Sequence, residues 1–206
     1  MISILSHNIQ GQNNALLLLT NYMKKHNIPI ACVQEVSGRG IPEQYLRQCE
    51  NEGYTIISHH PGTGEKGVGI IYKTNQTMMR HVRKVAGCEA IAMKAVVQGE
   101  EMTVVSARAP SGLDNVARDS PEEKKAETLY LQILQWKLDS QMSTDTFIVG
   151  GDLNETRTAE DRTWSESRSE KKEARLLGQF LADSELIDVG QPHSEAEQNR
   201  FFTFER

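Results

Sequence analysis

The stretch Phe147-Ile148-Val149-Gly150-Gly151-Asp152-Leu153-Asn154 constrains the fold of this chain more than any other. Its apolar run is too short for a free helix and predicts a buried strand. The two glycines let the backbone turn sharply and come close to a neighbour or a ligand. Asp152 and Asn154 follow two residues apart, which on a continuing strand puts both on one face. A carboxylate beside an amide suits a water or metal ion on one side and a developing oxyanion on the other. Two further apolar runs end in polar side chains, His7-Asn8-Ile9-Gln10 and Val33-Gln34-Glu35. Such strand ends point to one cleft along one rim.

The rest of the chain supplies strands and helices in alternation. Strands are predicted over residues 2–9, 28–36, 54–58, 67–73, 79–85, 89–97 and 102–107, with a hairpin turn at Gln98-Gly99-Glu100-Glu101. A helix is predicted over residues 15–26, with Asn13 or Asn14 as its cap, and a short one from Pro42 to Asn51, stopped by Gly53. Ser120-Pro121-Glu122-Glu123 reads as a capping box with proline at the first helical position. The helix it opens carries Ala126, Leu129, Tyr130, Ile133, Leu134 and Leu138 on one face. A polar loop through Ser169, a helix over 171–182 and a strand Leu186-Ile187-Asp188-Val189 complete the pattern. Two sheets packed together with helices outside are the architecture this order implies, in the α/β (α+β) class.

With 206 residues, one domain over 1–206 is expected. A net charge of -5 and a pI near 5.7 exclude a strongly basic, nucleic-acid-coating surface. They leave room for a metal-dependent enzyme acting on phosphates, because the ion supplies local positive charge. Three scattered cysteines, Cys32, Cys49 and Cys88, fit neither a disulfide framework nor a zinc site and predict a reducing, intracellular setting. Cys32, inside an apolar run, reads as a core residue. No apolar run is long enough to span a membrane. His7 reads as structural, His59, His60 and His193 as exposed loop residues, and Trp136 and Trp164 as packing residues.

The ordered set Asn8, Gln34-Glu35, Gly67-Val68-Gly69-Ile70-Ile71-Tyr72, Ala109-Pro110 and Gly150-Gly151-Asp152-Leu153-Asn154 resembles the endonuclease/exonuclease/phosphatase superfamily. Asp161-Arg162, the segment Leu186 to Val189 followed by Pro192-His193, and Phe202-Thr203-Phe204 resemble the endonuclease domains of non-LTR (LINE-type) retrotransposons. The resemblance implies a four-layer αββα sandwich of two mixed sheets that cleaves DNA phosphodiesters with Mg²⁺ or Mn²⁺, in the nucleus. It implies that Glu35 holds the metal, with Asn8 helping by carbonyl or water-mediated contact. Asp152 then orients or deprotonates the attacking water, and Asn154 stabilises charge on the phosphorus oxygens. Thr203 contacts the substrate backbone.

The chain departs from the family pattern twice. Arg108 stands where the family usually has a phosphate-contacting tyrosine. An arginine there either binds phosphate by charge and a two-pronged geometry or marks a drifted position. The family's closing Ser-Asp-His motif is not in the sequence. The expectation is therefore a domain incomplete at its C-terminus, lacking its last strands, with weak or no nuclease activity. Two alternatives stand beside this reading. One is another phosphoesterase of the superfamily, acting on abasic DNA, RNA or a small phosphoester. The other is a non-catalytic binding remnant, which EDTA and Glu35→Ala would leave unaffected.

Overall fold

Eight strands and four helices follow one another in the computed structural model, which describes residues 2–111, 119–141, 146–154 and 175–186. The order is β1 (Ile4–Asn8), α1 (Asn13–Lys25), β2 (Ile30–Val36), α2 (Glu43–Asn51), β3 (Tyr54–His59), β4 (Gly67–Lys73), β5 (Thr77–Lys84), β6 (Ala90–Val97), β7 (Glu100–Arg108), α3 (Pro121–Gln141), β8 (Thr146–Asp152) and α4 (Arg175–Ser184). One sheet has the order β1-β2-β4-β3 and the other β5-β6-β7-β8. Both are mixed: β1 runs parallel to β2 and β7 to β8, and every other pairing is antiparallel.

Three hydrophobic clusters are the three interfaces of a four-layer sandwich. Leu16, Leu19 and Met23 of α1 pack with Cys49 of α2 on Ala31, Val33 and Ile71. Ile30, Cys32, Val68, Ile70, Ile91, Met93, Met102 and Val104 interdigitate between the sheets. Ala126, Leu129, Tyr130, Ile133 and Trp136 of α3, with Leu177 and Phe180 of α4, cover Ala92, Val105 and Ala107. In β2 the residues 30 and 32 thus face the other sheet while 31 and 33 face the helices, the period-two alternation of a strand buried on both sides. Tyr130 and Phe180 stack at 4.9 Å and tie the two helices together.

Local sequence accounts for most boundaries. The β6–β7 hairpin closes through Gln98 and Gly99, both at positive φ, the backbone that a two-residue turn needs to match strand twist. At the start of α3 the Ser120 hydroxyl accepts the Glu123 N–H at 3.1 Å, while the Glu123 carboxylate takes the N–H of Asp119. Three expectations are corrected. α1 is capped by Gln12 without a side-chain hydrogen bond, and Asn13 lies inside the first turn. On α3, Leu138 is half exposed and Trp136 is buried in its place, because the face in contact with the sheet rotates along a helix of this length. His59 and His60 are partly buried: His59 ends β3 with Nε2 at 2.8 Å from the Val85 carbonyl, and His60 Nδ1 lies 3.3 Å from the Glu65 carbonyl.

Residues 155–174, which include Asp161, Arg162, Trp164 and the start of the helix expected over 171–182, lie outside the described residues, as do residues 187–189 of the expected strand, His193 and Thr203. No helix among the described residues is long and apolar enough to cross a membrane.

Candidate active site

Topology brings the polar strand ends to one rim. The C-termini of the parallel pairs β1–β2 and β7–β8 lie at the same end of the sandwich, where the antiparallel β4 and β6 begin. Asn8, Glu35, Arg108 and Asp152 therefore meet, together with Lys66 and Glu89 from just before β4 and β6. Asn8 and Asp152, 144 residues apart, are joined by a 2.8 Å bond from the Asn8 amide to Asp152 Oδ2. The Gln10 N–H donates to Asn8 Oδ1 at 2.9 Å. Only the carbonyl oxygen can accept it, so the Asn8 NH₂ must face the carboxylates.

Glu35 is placed by a local irregularity. The β2–β4 register slips between Gln34 and Val36, and Glu35 takes φ +56°. A bulge of this kind re-aims one side chain and recurs beside active sites. The Glu35 carbonyl is used as well, accepting the Gly11 N–H at 2.8 Å, which locks the turn after β1 against the bulge.

One layer below the rim lies a buried polar row. Gln34, 2 % exposed, donates to Ser6 Oγ at 3.2 Å and Ser106 Oγ at 3.4 Å, and Ser106 donates to the Val33 carbonyl at 3.1 Å. Leaving such a buried amide unpaired costs about 1–3 kcal/mol per group, so the row pins β1, β2 and β7 in register beneath the carboxylates. Beside it the sheets nearly touch. A Cβ on Gly150 would lie 2.8 Å from Cys32 Sγ, which explains the first glycine of the pair. A Cβ on Gly151 would lie 2.6 Å from the Ala107 carbonyl, which explains the second.

Asn154 departs from the same-face expectation. β8 ends at Asp152, and Asn154 sits at φ +52° with its N–H 3.3 Å from Asp152 Oδ1. Its side-chain amide donates to the Ala109 carbonyl at 2.7 Å, which leaves one amide N–H for another acceptor. Arg108 reaches the rim, but as a held group: Nη1 donates to Glu89 at 2.8 Å and Nη2 lies 3.6 Å from Glu35 Oε1.

Residues 5–203 match the profile of the Endonuclease/Exonuclease/phosphatase family. The chain belongs to that family. Its fold is similar to a mannosyl-6-phosphatase of Bacteroides thetaiotaomicron, with a TM-score of 0.57 at 13 % identity over 78 % of this chain and 68 % of that one. It is similar to D. rerio TDP2 complexed with a single-strand DNA product, with a TM-score of 0.55 at 15 % identity over 92 % and 66 %. It is also similar to an AP endonuclease of Archaeoglobus fulgidus, with a TM-score of 0.51 at 19 % identity over 77 % and 60 %. The chain thus spans about two thirds of the length of the structures it matches. No curated protein matches the sequence.

Members of this endonuclease/exonuclease/phosphatase family generally use divalent ions, and a carboxylate at the rim suits a hard cation. Among the described residues no three His, Cys, Asp or Glu side chains are placed to hold one ion together, so a zinc-like cage is not what the rim presents. What it presents is the Glu35 carboxylate with the Asn8 NH₂ turned to it and the Asn8 oxygen on the Gln10 N–H, so Asn8 would help a cation through water. Mg²⁺ keeps most of its waters and needs only one or two protein carboxylates. The Glu35 side chain is 14 % exposed, and Lys66 and Arg108 already stand as cations against its two oxygens. Sequence reasoning missed Lys66 and Glu89. Each immediately precedes a strand, and only the antiparallel pairing shows that those strand starts share the rim with the ends of β1, β2, β7 and β8.

Burial alone would push the Glu35 carboxyl up. The bonds from Lys66 and Asn8 and the charges of Lys66 and Arg108 outweigh it and hold Glu35 below its ordinary value of 4.5. For Arg108, burial works against the charge, and the bond to Glu89 with the charges of Glu89, Glu35 and Asp152 more than restores it. A depressed folded-state value means that Glu35 contributes stability above its unfolded value, lost as pH falls through the folded one. Urea midpoints of the protein and of Glu35→Gln are therefore expected to differ at neutral pH and converge in strong acid; parallel curves would show that Glu35 carries no such linkage.

Proposed function

We propose that this chain is a metal-dependent phosphodiesterase that nicks DNA, of the kind found as the endonuclease domain of non-LTR retrotransposons. The observation that carries the reading is the Asn8 amide joining Asp152 to the Glu35 corner of the rim. Mg²⁺ or Mn²⁺, held by Glu35 with water-mediated help from Asn8, would supply positive charge to the scissile phosphate. Asp152 takes the proton of the attacking water. The Asn8 amide and the Asn154 N–H bond its two oxygens and set the direction of the remaining lone pairs. The free amide N–H of Asn154 stabilises the charge that builds on a phosphorus oxygen. Arg108, braced by Glu89, faces the same phosphate from the β7 side, and Thr203 contacts the substrate backbone. A DNA substrate would place the activity in the nucleus.

A second reading is favoured by the net charge of -5, which suits a small phosphoester better than a long polyanion. The test is nicking of supercoiled plasmid in Mg²⁺ or Mn²⁺, beside turnover of small phosphomonoesters. Nicking that stops with EDTA and with Glu35→Ala supports the DNA reading. Turnover of small esters without nicking selects the second. A folded protein inert towards both, and indifferent to EDTA, is a binding module.

A further inference from the structure

Five charged side chains meet at the rim, and they differ in how they are held. Arg108 is 17 % exposed and sits between Glu89 and Glu35. Lys66 is 48 % exposed, and among the described residues its ammonium meets Glu35 alone, on Oε2. Its stem runs over the turn after β1, where a Cβ on Gly11 would lie 3.9 Å from Lys66 Cε. The ammonium therefore stands on the carboxylate to which the divalent ion is assigned, and this inference rests on that assignment.

We propose that Lys66 is a resident cation that competes with the divalent ion for Glu35 and sets the affinity of the rim for it. A doubly charged ion and an ammonium repel each other when they share one carboxylate, and the repulsion is only partly screened beside the largely buried Glu35. Arg108 cannot leave, because departure would strand the Glu89 charge that it pairs. Lys66 can leave: its long stem is flexible and half in water, and its ammonium is readily hydrated. Each binding event then includes the loss of the Lys66–Glu35 pair.

The test is calorimetric titration of Mn²⁺ into the protein without nucleic acid. Lys66→Met keeps the length of the stem and removes its charge, and it is expected to bind the ion about threefold to tenfold more tightly than the parent. Lys66→Arg keeps the charge and is expected to bind no more tightly than the parent. Thermal melts with and without Mn²⁺ give a second readout in which the ion raises Tm more for Lys66→Met. If Mn²⁺ binds, is lost in Glu35→Gln and is unchanged in Lys66→Met, the competition is overturned while the metal assignment stands. If parent and Lys66→Met both bind no ion at Glu35, both are overturned.

Discussion

Asp152→Ala is expected to lower the rate of phosphodiester cleavage by about 10²–10⁴-fold, the usual contribution of a positioned general base. Three hydrogen bonds converge on the segment that carries it. Asn8 and the Asn154 N–H bond the carboxylate, and the Ala109 N–H bonds the Asp152 carbonyl at 3.0 Å. Alanine removes the carboxylate and keeps the backbone bond. The chain through Asn154 therefore stays in place, and the melting temperature should move by only a few degrees. Rates measured under single turnover, with the melt run beside them, separate chemistry from folding. Cleavage at the parent's rate would remove Asp152 from the mechanism. Loss of rate together with loss of the fold would place it in the scaffold.

Gly150→Ala is expected to have the largest effect on stability. The added methyl meets Cys32 Sγ at 2.8 Å and Cys32 Cβ at 2.9 Å. Cys32 is 0 % exposed and has no room to retreat, so the strands must part. Overpacking of this kind costs about 1–3 kcal/mol, or roughly 2–12 °C of melting temperature for a chain of this size. The two substitutions should be coupled. Cys32→Ala removes one of the two clashing atoms, so the double variant should recover part of the loss and fall short of additivity. Because Asp152 lies two residues further along β8, activity is expected to fall by more than the melt implies. A Gly150→Ala protein that melts like the parent would mean that the sheets are not in contact there. The buried thiol is no reactive group in its own right: burial pushes Cys32 up to about 12, so it packs as a small apolar residue.

The polar strand ends were legible because a strand is short and alternates. Asn8, Glu35 and Asp152 each close an apolar run, and no structure is needed to see that such residues belong at an edge of the core. The element order was legible for the same reason, with proline, glycine and the Ser120 cap marking boundaries. Asn154 was misplaced because strand periodicity was carried past the point where the strand stops. The turn at φ +52° depends on the Ala109 carbonyl, which arrives from a distant segment. Leu138 was assigned to the core because the stripe was carried straight along a helix whose buried face turns to Trp136 and Ser140.

By itself, then, the sequence determined which residues end strands, which helices pack by one face, and that the three thiols are not paired, with Cys32 in the core. Those are local matters of period, capping and burial propensity. Only the tertiary structure decided who meets whom. Parallel and antiparallel pairing carried Lys66 and Glu89 to the rim, and the bulge at Glu35 turned its carboxylate towards Lys66 and Arg108. The close approach at Gly150 brought Asn8 within 2.8 Å of Asp152. Charges interact over a few ångströms in space, and separation along the chain does not measure that distance.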